Sequence, residues 1–361
     1  HGLRVWDKDT SQDWEAGRTC KERSRLFAQG RGGSLSDTDE RGTHMAFTAL
    51  DSQLTGPLFV PEAMASVFSD EARLAAMLRA EWALAEAQHQ HGLIPAKTAQ
   101  AIAALSPEQF DLQALGEATA LSGVPTIPFV SALRALVPAD CEAFVHKGAT
   151  TQDILDTALV LQMREALETV LADLRQLVPA LVALASREAA TPCVGRTYGQ
   201  HAAPVSFGYK AALWLAGLCD VLEGLPALRA QAFKASLAGP VGTLAGRSDQ
   251  DRAVAQTYAA LLSLAYDPLP WHVRRAGFAG LAAWLGQLIG ALAKCAEDIV
   301  FLASTEVAEV AEGEESLSGN IRSATARPLG VRRGRTEAVA IANARGLLQH
   351  AVSGKLGTPA R

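Results

Sequence analysis

The sequence predicts an all-α fold built on long central helices, and three observations predict it. Apolar residues recur at helical spacing through three long stretches, about 154–189, 205–235 and 276–311. β-Branched alternation of the kind that marks strands is nearly absent. The chain is 49% hydrophobic and only 20% charged, so helices this long have too little polar surface to stand alone. The expectation is an extended bundle completed by further copies of the chain.

The elements follow in order. Residues 1–44 are rich in Arg, Gly, Asp and Ser without a sustained apolar period. They read as a non-native or disordered leader, set apart from fold reasoning. Residues 45–140 form an N-terminal helical domain. Its first clear helix starts at Ser69-Asp70-Glu71, a capping hydroxyl followed by acids in the first turn. Leu74, Leu78, Trp82 and Ala85 share one face, and Gly92 with Pro95 closes the helix. The loop around Gly123, Pro125 and Pro128 leads into a helical pattern at 129–136. Residues 141–350 form the central domain of three long runs, with kinks expected at Pro179 and Pro226. Within it, residues 313–337 mix Ser, Gly and Arg without period, before a further helical pattern at 338–350.

Composition narrows the function classes. With 33 Lys and Arg against 38 Asp and Glu, a net charge of −5 gives no electrostatic reason to expect nucleic acid or an anionic membrane. Five scattered cysteines without a C-x-x-C pair fit neither a disulfide framework nor a zinc site, so a reducing cytoplasm is the expected compartment. The stretch 276–293 is apolar enough to raise a membrane span. Its Gly and Ala content and its direct continuation into Lys294, Glu297 and Asp298 favour a helix buried inside an oligomer.

Two polar stretches carry the chemistry. His146-Lys147-Gly148-Ala149-Thr150-Thr151-Gln152-Asp153 sets two hydroxyls at a helix start, where free N–H groups and the positive end of the helix dipole favour a carboxylate. Ordinary capping by Thr151 or Asp153 accounts for the same pattern. Gly195-Arg196-Thr197-Tyr198-Gly199-Gln200-His201-Ala202-Ala203-Pro204 offers a guanidinium fork, a directed amide and an imidazole. Pro204 suits the first turn of the next helix. Three exposed loop residues would read the same way. Phosphate-loop, dinucleotide, zincin and hydrolase signatures are absent from suitable contexts.

Together these stretches resemble the fumarase/aspartase superfamily, whose members add or eliminate groups across the bond next to a carboxylate. The segment 146–157 looks like its first motif, 195–204 its second, and 238–246 the glycine-rich stretch that follows. Residues 58–84 and 125–133, the Q-H-A-x-P form of the second motif and Pro270-Trp271-His272 narrow the resemblance to the cycloisomerase branch, which lactonises carboxylated muconates in aromatic-compound degradation. The resemblance spans about 58–312. It implies a fumarase/aspartase-like homotetramer whose sites are shared between subunits. It also implies a small di- or tricarboxylate substrate and neither metal nor organic cofactor. His201 would be the catalytic residue. His146, Thr150, Thr151, Arg196, Thr197, Gln200 and Arg275 would bind substrate. An adenylosuccinate- or argininosuccinate-type lyase that releases fumarate uses the same two motifs. A homologue that only binds is the reading from outside enzymes.

The chain departs from the pattern in three places. Thr151 stands where the family has Ser. Val273-Arg274-Arg275-Ala276 lacks the Gln and Asp that often flank that Arg. The family's Ser-containing catalytic loop should follow Glu312, and residues 313–325 align none of its Ser, Lys or Asn. A shifted reading frame across 313–337 explains this better than a new active site. The resemblance also implies that the family's C-terminal domain is missing.

Overall fold

A computed structural model describes residues 48, 50, 52–243 and 249–310. Chain contacts separate His1–Thr48 from Ala49–Arg361, and the architecture below belongs to the second unit. The leader at 1–44, the aperiodic stretch at 313–337 and the helical pattern at 338–350 lie outside the described residues.

Ten helices and one hairpin make up the described part: α1 (Glu62–Val67), α2 (Asp70–Gln90), α3 (Ala96–Ala103), α4 (Leu112–Ser122), α5 (Thr126–Leu136), α6 (Thr151–Arg187), β1 (Pro192–Thr197), β2 (Gln200–Ser206), α7 (Phe207–Glu223), α8 (Leu225–Ala232), α9 (Asp249–Leu261) and α10 (Ala276–Leu302). The all-α expectation holds in its main feature. Local chemistry explains the boundaries. Ser69 accepts a hydrogen bond from the Ala72 amide at 3.1 Å and starts α2, with Asp70 and Glu71 in the first turn. Asp111 caps α4 by accepting from Ala114 N at 3.0 Å. Ser206 caps α7 by accepting from Tyr209 N at 3.2 Å. Each of these satisfies an amide that the helix itself leaves without a partner.

The spine is α6, whose 37 residues span about 55 Å at the usual helical rise. It packs against α1, α2, α5 and α7, while α10 lies along α7 and α8. The core runs down these contacts through Leu84, Phe129, Ile154, Leu181, Leu218 and Leu262. At Gly208 the α7 backbone meets α6 closely: a Cβ there would stand 2.7 Å from the Ala189 Cα. A side chain at this position would separate the two helices.

Three expectations need correction. Pro204 does not open a helix; it lies in β2, paired with Val194, and the helix begins three residues later at Phe207. A two-stranded sheet has only edge strands, so a residue without an N–H is tolerated there. The second long run is two helices broken at Gly224, with Pro226 in the first turn of α8 rather than at a kink. The third run ends at Leu302, well before 311.

By length and composition α6, the stretch Phe207–Ala232 and α10 are each long and apolar enough to cross a membrane. Ionisable residues punctuate α6 as far as Arg175, among them Arg164, Glu165, Glu168 and Asp173, and such groups are costly in hydrocarbon. The apolar window of α10 is only 17% buried, leaving Ile289 and Val300 bare. Leu213 on α7 is bare as well.

Candidate active site

The first polar stretch folds as the sequence implies and is held tightly. Thr150 is the N-cap of α6, in extended backbone. The Asp153 carboxylate reaches back to accept from Thr150 N at 3.0 Å in a capping-box arrangement. Capping and site-building therefore coexist here. Asp153 satisfies the helix end, and Thr151 stays half-buried on the wall of a cleft of about 630 Å³. His146 and Arg134 share that wall.

His146 is aimed by a buried acid. Its Nδ1 lies 2.5 Å from Glu81 Oε1, and Glu81 is 1% exposed on α2. A carboxylate only accepts, so the Nδ1–H of His146 donates to it, and among the described residues Nε2 has no hydrogen-bond partner. The backbone at His146 is left-handed, with φ +59°. The Arg134 guanidinium donates to Val145 O at 3.2 Å on the same loop.

Asp153 also ties in two later segments. It accepts from Ser236 Oγ at 3.1 Å, Ala238 N at 3.0 Å and Gly239 N at 2.9 Å. His272 Nε2 lies 2.7 Å away. The glycine-rich segment is thus laid against the start of α6, with Gly239 facing the Gly148 carbonyl. One helical turn on, Asp156 takes both arms of Arg275 at 2.5 and 2.8 Å. Arg275 also stacks over Phe278 and Trp271. The hydrogen bonds to Asp156 hold the guanidinium pKa above its ordinary value. Arg275, expected as a substrate contact, has a carboxylate of the chain's own as its partner.

The second polar stretch is a hairpin. Thr197 pairs with Gln200, and Arg196 with His201, about a two-residue turn at Tyr198-Gly199. Both turn residues have positive φ, +50° and +74°, the geometry of a type I′ turn. Thr197, Gln200 and His201 are exposed, and Tyr198 projects fully into solvent. The register slips between Gly195 and Arg196. A Cβ at Gly195 would stand 2.7 Å from Ala203 O, so the slip needs glycine. Arg196 turns back to the body of the protein. It pairs with Glu309 at 2.5 Å and stacks over Phe301, and Lys210 reaches the same carboxylate at 3.3 Å. Burial alone would raise the Glu309 pKa; the Arg196 hydrogen bond and the Lys210 charge bring it below the usual carboxylate range.

The structure therefore brings His146, Thr150, Thr151 and Arg275 to one end of α6, and Arg196, Thr197, Gln200 and His201 to the other. The 37-residue helix α6, about 55 Å long, runs between the two groups. Sequence reasoning passed over three residues of the first group: Glu81, Arg134 and His272. The Trp-His pair was visible as a motif, but nothing in its spacing pointed to Asp153, which is 119 residues away.

Comparison with known proteins bears on these arrangements. A family described as lyase matches residues 60–318. The 3-carboxy-cis,cis-muconate cycloisomerase of Pseudomonas aeruginosa is 41% identical over 72% of this chain and 58% of its own length. That of Pseudomonas putida is 39% identical over 73% and 63%. Nitrosuccinate lyase of Streptomyces davaonensis is 42% identical over 73% and 58%. The chain thus spans about three-fifths of these relatives. The solved structure of the 3-carboxy-cis,cis-muconate lactonizing enzyme from Pseudomonas putida superposes with a TM-score of 0.74 at 33% identity, over 85% of this chain and 77% of the other. The chain belongs to this lyase family, the fumarase/aspartase superfamily, and is similar to its cycloisomerase members.

Proposed function

We propose that the protein is a cycloisomerase that converts 3-carboxy-cis,cis-muconate, or a close analogue, to a muconolactone in the degradation of aromatic compounds. The observation that supports this reading is the start of α6. There Thr151, His146 and Arg134 share one cleft, in a chain 41% identical to such an enzyme. One substrate carboxylate attacks the alkene carbon β to a second carboxylate. A carbon–oxygen bond forms and the alkene electron pair moves onto the second carboxylate. A proton then reaches its α-carbon, and no mass is lost. Hydroxyl and amide donors fixed at a helix start stabilise the charge that develops on that carboxylate.

The two halves of the site lie too far apart to serve one substrate within one chain. In this reading the protein assembles as a homotetramer, and Thr197, Gln200 and His201 at the hairpin tip enter the cleft of a neighbour. The bare apolar faces of α7 and α10 are the surfaces such an assembly would cover. Thr150 and Thr151 grip a carboxylate beside His146, and His201 acts at the reacting centre by charge and orientation. Arg196 and Arg275 hold the hairpin and the start of α10. The compartment is cytoplasmic.

A second reading has its own support, because a nitrosuccinate lyase is 42% identical over the same share of the chain. It is an elimination that releases a small group and an unsaturated dicarboxylate. Incubation with 3-carboxy-cis,cis-muconate and with nitrosuccinate separates the two. The cycloisomerase reading expects loss of conjugated-diene absorbance at constant substrate mass. Turnover of nitrosuccinate alone would replace it with the elimination.

A further inference from the structure

We propose that His272, oriented by Asp153, is a further substrate-carboxylate contact in the half-site at the start of α6; this rests on the carboxylate-binding reading of that end. Four observations lead to it. Asp153 is wholly buried and accepts from Thr150 N, Ser236 Oγ, Ala238 N and Gly239 N. His272 Nε2 completes the shell at 2.7 Å. Because a carboxylate only accepts, the ring carries its proton on Nε2 and donates it to Asp153. Its other nitrogen is then left for another partner.

Nδ1 faces the turn at Gly239–Gly242, where a Cβ on Gly242 would stand 3.9 Å from it. Among the described residues it makes no hydrogen bond. Gly239 of that turn adjoins Gly148, directly before the Thr150–Thr151 pair. The ring side chain is 12% exposed, enough for one small group to reach it. Gln152 fixes the backbone as well, donating to His272 O at 3.0 Å. A carboxylate bound over the helix start would meet the two threonine hydroxyls and this imidazole, since the Ala238 and Gly239 amides already serve Asp153. Bound to a carboxylate, Nδ1 donates as well, and both ring nitrogens are then paired with carboxylate oxygens.

Two variants of the full chain separate a binding role from a structural one. The His272→Gln amide reaches the Nε2 position and keeps the bond to Asp153, but has nothing at Nδ1. The His272→Asn amide replaces Nδ1 and leaves Asp153 short of a donor. The proposal expects His272→Gln to melt close to the parent protein while KM for 3-carboxy-cis,cis-muconate rises about tenfold, the loss of one charge-assisted hydrogen bond. The affinity for propane-1,2,3-tricarboxylate, measured by calorimetry, should fall by a similar factor. Unchanged KM and affinity in His272→Gln, with a lower melting temperature in His272→Asn, would overturn it and leave His272 a structural partner. If the parent binds the tricarboxylate without turning over the muconate, the cycloisomerase reading fails alone and calorimetry still decides the role of His272. A parent that binds no carboxylate overturns both.

Discussion

Glu309 shows how a single carboxyl fastens the hairpin half of the site. It takes Arg196 at 2.5 Å and Lys210 at 3.3 Å, and its folded pKa lies below the ordinary 4.5. A depressed acid contributes stability in full above its unfolded value and loses it as the pH falls through the folded value. The hairpin amides should therefore show high protection factors, that is exchange relative to the intrinsic rate at each pH, at pH 7 and lower ones as the pH drops below about 4.5, the ordinary Glu value. In Glu309→Gln, the protection factors should be lower at neutral pH and nearly independent of pH over that range. Protection that survives acidification unchanged would mean the hairpin is held by something else. Tyr198 makes the complementary case. A fully exposed tyrosine at φ +50° is disfavoured relative to Asn. Tyr198→Asn should stabilise the isolated hairpin by roughly 0.5–1 kcal/mol in thermal melts, since Asn-Gly suits a type I′ turn. If the tip enters a neighbouring subunit, the same change should weaken assembly in sedimentation.

Helix and strand boundaries show what could be read in advance. Ser69, Asp70 and Glu71 announced α2, and the hydroxyls and acid at 150–153 announced α6, with Thr150 rather than Thr151 as the N-cap, because capping is local chemistry written within four residues. The hairpin was hidden for the opposite reason. Its strands have few β-branched residues, its turn uses Tyr-Gly rather than Asn-Gly, and Pro204 imitates a helix start. The Asp153–His272 and Asp156–Arg275 pairs each bridge 119 residues, which no spacing rule reaches. The α6–α7 contact is a further element-scale feature invisible in sequence. Gly208 lets the backbones meet at Ala185 and Ala189, where a Cβ has no room. Gly208→Ala should cost about 2–3 kcal/mol in denaturant melts, since neither helix can move without disturbing the core around Leu184 and Ala211. A variant as stable as the parent would show that the two helices are free to separate.

At the scale of the whole molecule, the length of α6 sets how the proposed site has to be built. A rigid helix of about 55 Å keeps the threonine pair of one chain from ever meeting the hairpin of the same chain. Each half is well formed: one is capped by Asp153, the other docked through Glu309. Neither half alone surrounds a substrate. Two damaged chains should therefore repair one another. In the proposed site, Thr151→Val takes away the carboxylate grip and leaves the hairpin whole, whereas His201→Asn does the reverse. Each variant should be nearly inactive as a homo-oligomer. Co-expressed, they assemble at random, and a site drawing its helix start from one chain and its hairpin from another is wholly intact about a quarter of the time. Mixed preparations should recover turnover in roughly that proportion to the parent. Simple mixing of assembled oligomers should recover little until the subunits exchange. If co-expression restores nothing although sedimentation shows mixed tetramers, the two motifs do not meet between subunits, and the hairpin has a purpose other than completing the cleft at the start of α6.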